Sequence, residues 1–139
     1  MERDPDCLFC RIVARELPAT IIAEDEVTLA FMDINPAVDG HVLVIPKAHS
    51  RDVLEIGDDD LAAASRMVRE VAARVKDVLG AGGVNVHNCA GAEAGQTVFH
   101  THFHVIPRSA GDPLRLFWDP APGDPDAIRA TGERLVAGR

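Results

Sequence analysis

The chain has 139 residues, 47% of them hydrophobic and 26% charged, which is the composition of an ordinary globular protein. Its length predicts one domain over residues 1–139, and its formal net charge of −8 argues against nucleic acid or an anionic membrane as a partner. No apolar run approaches the ~18 residues of a membrane span. The acidic beginning, MERDPDCLFC, has no apolar signal-peptide core, so we expect a cytoplasmic protein.

The first half of the chain reads as a short helix followed by three strands. The helical spacing of Leu8, Ile12 and Val13 predicts a helix within CLFCRIVARELPA, with Pro18 after its end. The runs TIIAE, EVTLAFMDI and HVLVIP predict strands, the last of them stopped by Pro46.

The second half opens with the clearest helix, DDDLAAASRMVREVAARVKDVLG. The acidic residues 58–60 suit its N-terminal end, and Gly80 suits its stop. Its buried stripe is predicted to comprise Leu61, Ala64, Met67, Val68, Val71, Val75 and Val78. GVNVHN and TVFHTHFHVI predict two more strands, and Pro107 is expected to end the second.

The tail over residues 109–139 is rich in proline and aspartate and is predicted to be irregular, with a last helix over PDAIRATGERLVA. Strands gathered around one long helix, without regular strand–helix alternation, favour the α+β class. We therefore expect a mostly antiparallel sheet of about five strands with one long helix and a short N-terminal helix.

Three of the six histidines occupy alternate positions within five residues: His100, His102 and His104. In a strand these side chains share one face, while Phe103 and Val105 point into the core from the other. One face cannot easily hide three imidazoles, so the histidines are predicted to line a cleft. Three explanations stay open at this point: a metal site, an imidazole nucleophile with neighbours that hold phosphate, or inert structural histidines.

Of the three cysteines, Cys7 and Cys10 form a C-x-x-C pair and Cys89 stands alone. In a reducing compartment this number does not indicate a disulfide framework. Two thiols at helical i,i+3 spacing lie on one side and suit a zinc ion, which prefers four nitrogen or sulfur donors. A buried reduced pair without a metal is the alternative.

These segments resemble the histidine triad family. HTHFHVI is similar to the family signature of three alternating histidines followed by two apolar residues, and GQTV is similar to its Gly-Gln-Ser/Thr element. The segments CLFCRIVARELPATIIAED and LAFMDINPAVDGHVLVIPKAH resemble the N-terminal half of the family, so the resemblance covers about residues 7–108. It implies a histidine-triad-like α+β fold and a homodimer whose two sheets join across a two-fold axis.

The resemblance also implies an activity, the hydrolysis or transfer of nucleoside monophosphates carried on amine, phosphate or acyl leaving groups. The expected substrate is a purine nucleotide or a nucleoside phosphoramidate. His102 matches the nucleophile, which would form a nucleotidyl-histidine intermediate. His104 matches a phosphate contact, and Gln96 and Thr97 match donors near the α-phosphate that complete the catalytic set with His100.

The nucleotide pocket is carried over from the same resemblance. Asp33 matches the carboxylate that holds the ribose hydroxyls. The apolar residues that match the base pocket, each of which could equally be core, are Phe9, Ile12, Phe31 and Ile34. Cys89 stands where the family often has an asparagine that touches phosphate, and Asn88 precedes it, so Asn88 becomes a nucleotide contact only if a bulge turns it round.

A metal is implied as well, because some bacterial members pair such cysteines with two histidines. The implied structural zinc site consists of Cys7, Cys10, His49 and His100. His41 matches a family histidine near the catalytic row.

Two rival functions remain. One is a zinc hydrolase with His100, His102 and His104 all on the metal, and the other is a non-catalytic nucleotide-binding regulatory module.

Overall fold

The computed structural model describes residues 2–115 and 117–138. Met1, Leu116 and Arg139, which belong to the predicted domain 1–139, lie outside the described residues. The regular elements follow in the order α1 (Leu8–Val13), β1 (Ile21–Glu24), β2 (Thr28–Met32), β3 (Val42–Pro46), α2 (Asp58–Leu79), β4 (Gly83–His87), β5 (Phe103–Arg108) and α3 (Pro125–Ala137), with one short 3₁₀ turn at Ala92–Ala94.

The strands form one five-stranded sheet in the order β1-β2-β3-β5-β4, and each neighbouring pair is antiparallel. The predicted α+β class, the five-stranded antiparallel sheet, the long helix and the short N-terminal helix are therefore confirmed. β1 and β4 form the two edges of the sheet.

Helix α2 covers one face of the sheet. It begins at the acidic residues 58–60, which complement the positive end of the helix dipole, and ends at Gly80, whose φ of +68° suits glycine. Its buried residues are Ala63, Ala64, Met67, Val68, Val71 and Val75. Leu61 is only half-buried, and the prediction was wrong for Val78, which is 74% exposed. The helical period continues into the last turn, but no described part of the chain covers the Val78 side chain.

The opposite face of the sheet carries the first helix and the histidines. Alternation along the strands sends Leu43 and Ile45 to this face and Val42 and Val44 to the face under α2. His104 is the partner of Leu43 on β3 and of His87 on β4. The strand register thus places the imidazole of His104 beside the apolar cluster on which α1 packs.

The prediction of one continuous strand over TVFHTHFHVI was wrong, because β5 begins only at Phe103. The preceding backbone turns to the loop after β3, where Thr101 N donates to Ser50 O at 2.8 Å and the two side-chain hydroxyls lie 2.7 Å apart. Nor does Pro107 end the strand, which continues through Arg108. β3 pairs with β5 only over residues 103–105, so Pro107 lies in a part of β5 that is paired on one side, where proline is tolerated.

The described residues between β5 and α3 are irregular, with Leu116 left outside the description, and α3 occupies the predicted segment. No residue of α3 is buried. Among the described residues, no helix is long and apolar enough to cross a membrane.

Candidate functional site

A cavity of about 550 Å³ lies between α1 and the histidine face of the sheet, a size typical of small-molecule sites. It brings together eight residues selected from the sequence: Phe9, Ile12, Phe31, Asp33, Ile34, Thr97, His102 and His104. Further residues line the cavity that were not predicted from the sequence, among them Leu8, Leu17, Pro18, Leu43 and Val98. Of these, Leu43 could have been predicted, because strand alternation puts it on the face opposite Val42 and Val44.

Apolar and aromatic side chains form one end of the cavity. The ring of Phe9 stands edge-on to Phe31, with centroids 5.4 Å apart, and edge-on to His102, with centroids 5.2 Å apart. Ile34 lies at the mouth and is 89% exposed. Phe9 and Phe31 are also buried members of the core, so they form a rigid wall as well as a lining.

The protonation of His102 follows from its backbone partner. His102 Nδ1 lies 2.7 Å from the carbonyl oxygen of His100, and a carbonyl only accepts, so Nδ1 carries the proton. In the neutral ring Nε2 then keeps its lone pair. Burial lowers the pKa of His102 below its ordinary value, which favours that neutral form. The side chain is therefore a ring in the wall of the cavity, and its Nε2 has no hydrogen-bond partner among the described residues.

His104 is held by a second imidazole. His41 Nδ1 accepts a hydrogen bond from Ala37 N at 2.9 Å, so the proton of neutral His41 is on Nε2. That Nε2 lies 2.8 Å from His104 Nδ1 and donates to it, which leaves the proton of His104 on Nε2. Burial lowers the pKa of His104 to about 4 and lowers that of His41, so both rings are neutral at pH 7.

The carboxylate of Asp33 lies beside this pair. Its Oδ1 accepts from Asn35 N at 2.8 Å, and its Oδ2 is 3.5 Å from His41 Nε2. The oxygen and nitrogen ligand atoms of Asp33, His41 and His104 lie within 4.8 Å of one another, as metal ligands do. A metal on His41 Nε2 would need a proton on Nδ1, however, and that proton would face Ala37 N–H. The Ala37 N–H, His41 and His104 form a hydrogen-bonded relay instead, with the Asp33 carboxylate beside it.

Gln96 is buried, and its amide is engaged with the backbone of its own loop. Its Oε1 accepts from Gly91 N at 2.8 Å, and its Nε2 donates to Arg51 O at 2.7 Å and to Val98 O at 3.1 Å. Gln96 is not among the lining residues of the cavity, whereas Thr97 is. The contact of Gln96 with phosphate stays a prediction; the role visible in the structure is to hold the loop that precedes His102.

Asn88 and Cys89 diverge at the end of β4. Asn88 Nδ2 donates to the carbonyl oxygen of His102 at 2.8 Å, so it pins the backbone of that residue from outside the cavity lining. Cys89 Sγ lies 3.1 Å from His87 Nε2 on the exposed side. A nucleotide contact by Asn88 stays a prediction as well.

The C-x-x-C pair and two histidines form a compact cluster behind His102. Cys7 Sγ lies 3.4 Å from His100 Nδ1, and Cys10 Sγ lies 3.4 Å from His49 Nδ1 and 3.5 Å from His100 Nδ1. Sulfur and nitrogen ligands at the corners of a zinc tetrahedron are about 3.6 Å apart. These donors therefore fit a tetrahedral metal.

Surrounding groups also suit a metal at this cluster. His100 Nε2 donates to Pro46 O at 2.8 Å, which leaves the Nδ1 lone pair for the thiol side. Burial raises the pKa of the Cys10 thiol to about 11, so a thiolate there needs a cation. Backbone N–H groups of Asp4 and Cys10 point at the sulfur atoms of Cys10 and Cys7, at 3.3 and 3.4 Å.

The three triad histidines do not converge on a single metal. The free nitrogen of His100 faces the cysteines, that of His104 accepts from His41, and that of His102 belongs to a ring in the cavity wall. This divergence disfavours the zinc hydrolase that used all three as ligands.

Comparison with known proteins points to the same family that the sequence resembles. A family model described as the HIT domain matches residues 14–111. The adenosine 5'-monophosphoramidase hnt1 of Schizosaccharomyces pombe is 37% identical over 130 residues, which are 93% of this chain and 95% of the relative. The adenylylsulfatase HINT3 of Arabidopsis thaliana is 38% identical over 109 residues, which are 78% of this chain and 55% of the relative.

Solved structures share the fold. SMU.412c from Streptococcus mutans superposes with a TM-score of 0.93 at 37% identity, over 98% of this chain and 87% of its own. A HIT family protein from Bacillus anthracis gives a TM-score of 0.87 at 30% identity over 99% of both chains. A Zn-bound histidine triad family protein from Mycobacterium smegmatis gives 0.76 at 37% identity, over 96% of this chain and 98% of its own.

Proposed function

The chain belongs to the HIT family, and we propose that it is a nucleotide hydrolase that cleaves a nucleoside monophosphate from its leaving group through a covalent bond to His102. The observation that carries the proposal is the free Nε2 of His102 in the wall of the cavity, fixed by the bond from Nδ1 to His100 O. The leaving group is an amine, a phosphate or an acyl group. One relative is named as a monophosphoramidase and another as an adenylylsulfatase, which supports a site that accepts more than one kind of leaving group.

The first step would be attack by the lone pair of His102 Nε2 on the α-phosphorus. A bond forms from nitrogen to phosphorus, and the bond from phosphorus to the leaving group breaks, with its electron pair going to the leaving group. An amine that leaves takes up one proton from solvent. Water then attacks the same phosphorus and releases one proton to solvent, the nitrogen–phosphorus bond breaks, and His102 recovers its lone pair, so that no proton is gained or lost overall. The covalent intermediate divides one difficult displacement into two easier ones.

Neighbouring groups would stabilise the charge that develops on the phosphate oxygens. His104 presents Nε2–H because His41 occupies its Nδ1, and a donor fixed in advance needs no reorganisation as charge builds up. Thr97 also lines the cavity, and its hydroxyl would be a second donor. Asp33 Oδ2 would accept from a ribose hydroxyl, with a purine base among Phe9, Ile12, Phe31 and Ile34.

A structural zinc ion completes the proposal. Cys7, Cys10, His49 and His100 would hold it, and bound zinc would tie α1 to the loops that follow β3 and precede β5. The Zn-bound relative from M. smegmatis supports this choice of metal. Zinc here would stabilise the backbone that carries His102 without contacting the substrate.

A homodimer that joins two sheets through their edges, and a cytoplasmic location, belong to the same proposal. β4 is an edge strand whose outer side pairs with no other described strand, as such a dimer requires. The cysteines are free thiols, which suits a reducing compartment.

Turnover of adenosine 5'-phosphoramidate, followed as release of the monophosphate, tests the activity. Wild type is compared with His102→Asn and, as a histidine control outside the cavity lining, with His87→Asn. We expect loss of turnover by a factor of about 10³ or more in His102→Asn only, with nucleotide binding retained in all three proteins. Binding without turnover in wild type, over phosphoramidate, polyphosphate and acyl substrates alike, would favour the regulatory module instead.

A further inference from the structure

Two buried hydroxyl groups lie close to His102 in the fold without reaching the cavity. Ser50 is 7% exposed and Thr101 is 1% exposed. Neither residue is part of the cavity lining, to which the His102 ring belongs. Their side-chain oxygens are 2.7 Å apart, and Thr101 Oγ1 also lies 3.2 Å from the carbonyl oxygen of Ser50. The steps of the proposed reaction use neither hydroxyl.

The direction of these hydrogen bonds follows from the chemistry of the three oxygens. A carbonyl only accepts, so the single proton of the Thr101 hydroxyl points to Ser50 O. In the short contact between the two hydroxyls, Ser50 Oγ is therefore the donor and Thr101 Oγ1 is the acceptor. Thr101 N also donates to Ser50 O, at 2.8 Å. Together these three hydrogen bonds form the Ser50–Thr101 bridge.

The Ser50–Thr101 bridge holds the peptide group between His100 and Thr101. The N–H of that peptide is the Thr101 N–H, which donates to Ser50 O. Its C=O is the His100 carbonyl, which lies 2.7 Å from His102 Nδ1 and accepts its proton. In a planar trans peptide the N–H and the C=O point in opposite directions. A peptide whose N–H is fixed on Ser50 therefore has its carbonyl aimed at His102.

The carbonyl on the other side of His102 has a separate anchor. Asn88 Nδ2 donates to His102 O at 2.8 Å, and the Phe9 ring stands edge-on to the imidazole. Neither contact selects the tautomer, because the acceptor for the Nδ1 proton is the His100 carbonyl. If that peptide rotated, Nδ1 would lose its acceptor, and the proton would be free to move to Nε2. A ring with its proton on Nε2 has no lone pair there to attack phosphorus.

We propose that Ser50 and Thr101 are positioning residues for the reaction of His102. Their bridge aims the His100 carbonyl at Nδ1 of that ring, which keeps the lone pair on Nε2. The inference rests on the proposed function, in which Nε2 attacks the phosphate, and adds to it two residues outside the cavity lining. Each of the two follows a histidine of the proposed zinc site, so the bridge also joins that site to the loop of the nucleophile.

Steady-state turnover of adenosine 5'-phosphoramidate by three threonine variants of the full chain tests the bridge. Thr101→Val removes the hydroxyl and keeps the branched shape, whereas Thr101→Ser keeps the hydroxyl. Thr28→Val is the matched control, because Thr28 is also buried and its hydroxyl donates to Asp25 at 2.9 Å. We expect kcat to fall about tenfold, with KM little changed, in Thr101→Val only. Wild-type kcat in Thr101→Val, or an equal loss in either of the other variants, would overturn the proposal.

The tautomer of His102 gives a second readout, which a general loss of stability does not move. Nuclear magnetic resonance of protein labelled with ¹⁵N-histidine distinguishes a protonated from an unprotonated ring nitrogen, and His102→Asn identifies the signals of this residue. Without substrate, we expect the Nδ1–H form alone in wild type and a mixture with the Nε2–H form in Thr101→Val. Ser50→Ala removes the donor of the bridge and carries the same expectation if Thr101→Val does not fold. An unchanged tautomer in the folded variants would contradict the proposal.

Bound zinc and turnover are measured in the same samples, so that the bridge and the proposed activity can fail separately. A kcat that falls in proportion to bound zinc in Thr101→Val would overturn the role of the bridge, because the metal would then be the cause. A wild type that holds the Nδ1–H form, lost in Thr101→Val, but does not turn over refutes the proposed activity. The assignment of the bridge to the tautomer of His102 would then stand.

Discussion

His41 Nε2 lies 2.8 Å from His104 Nδ1, and the backbone N–H of Ala37 fixes which of the two rings donates. This hydrogen bond affects the cavity, because it places the single N–H proton of neutral His104 on Nε2, the ring nitrogen that is available to a ligand. The Ala37 N–H and His41 thereby select one tautomer of His104, in which Nε2 is a hydrogen-bond donor.

Replacing His41 by phenylalanine should slow turnover, because it removes the donor that fixes the proton of His104. His104 would then be free to place its proton on Nδ1, and the phosphate would lose a donor part of the time. We expect kcat to fall by about 10- to 100-fold, the range seen when a partner that orients a functional histidine is lost. Steady-state kinetics and metal content are measured together. A variant with wild-type kcat would show that the relay does not matter.

Replacing Cys10 by serine should remove the metal and weaken the fold. Cys10 Sγ contacts both histidines of the cluster, so its loss breaks the ligand set at its centre. We expect bound zinc to fall from about one per chain to near zero and the melting temperature to drop by several degrees. Cys89→Ser is the matched control, and it should keep both. Equal zinc content in the two variants, measured by atomic emission, would refute the assignment.

The stability of the protein should fall in mild acid partly because of His104. Its pKa in the folded protein is about 4, lowered mainly by burial, while an exposed imidazole titrates near 6.5. Between these values the unfolded chain binds more protons than the folded one, so the free energy of unfolding decreases as the pH falls through this window. Urea midpoints of wild type and His104→Asn are compared at pH ~7 and ~5.

The difference in pH dependence between the two proteins isolates this contribution, because both keep the same cysteine and histidine cluster. We expect a shallower decrease in His104→Asn. Parallel decreases would mean that His104 is not buried as a neutral ring.

Replacing Gln96 by alanine should loosen the loop that leads to the histidines. Gly91 N, Arg51 O and Val98 O would each lose a partner. We expect a loss of about 1–3 kcal/mol in stability and faster amide exchange over residues 89–98. Glu93→Gln, an exposed change in the same loop, is the control. Unaltered exchange in Gln96→Ala would show that the loop is held by other contacts.

Much of this architecture could be predicted from the sequence, since it depends on the local spacing of apolar residues and on residues at the ends of helices. Alternation placed Phe103 and Val105 on one face and His104 on the other, and the acidic start and Gly80 stop of α2 were predicted where they occur. The fold family followed from the histidine row and its flanking segments. These features depend on neighbours within a few residues.

The features that sequence reasoning missed depend on distant partners. The backbone before Phe103 lies outside the sheet because Thr101 is hydrogen-bonded to Ser50. Gln96 is buried because its side-chain amide donates to the carbonyl oxygen of Arg51. Nothing in the spacing of residues 96–104 indicates either contact. The exposure of Val78 has the same origin, since the burial of a helical stripe depends on what distant parts of the chain place against it.

Covalent catalysis by His102 can be observed by rapid mixing followed by intact-protein mass spectrometry. Wild type and His102→Ala are mixed briefly with an adenosine phosphoramidate at mildly acid pH and quenched, with free monophosphate measured in the same samples. We expect a transient adduct of one adenosine monophosphate on wild type, with neither adduct nor turnover in His102→Ala. Turnover by His102→Ala at the wild-type rate would contradict this mechanism.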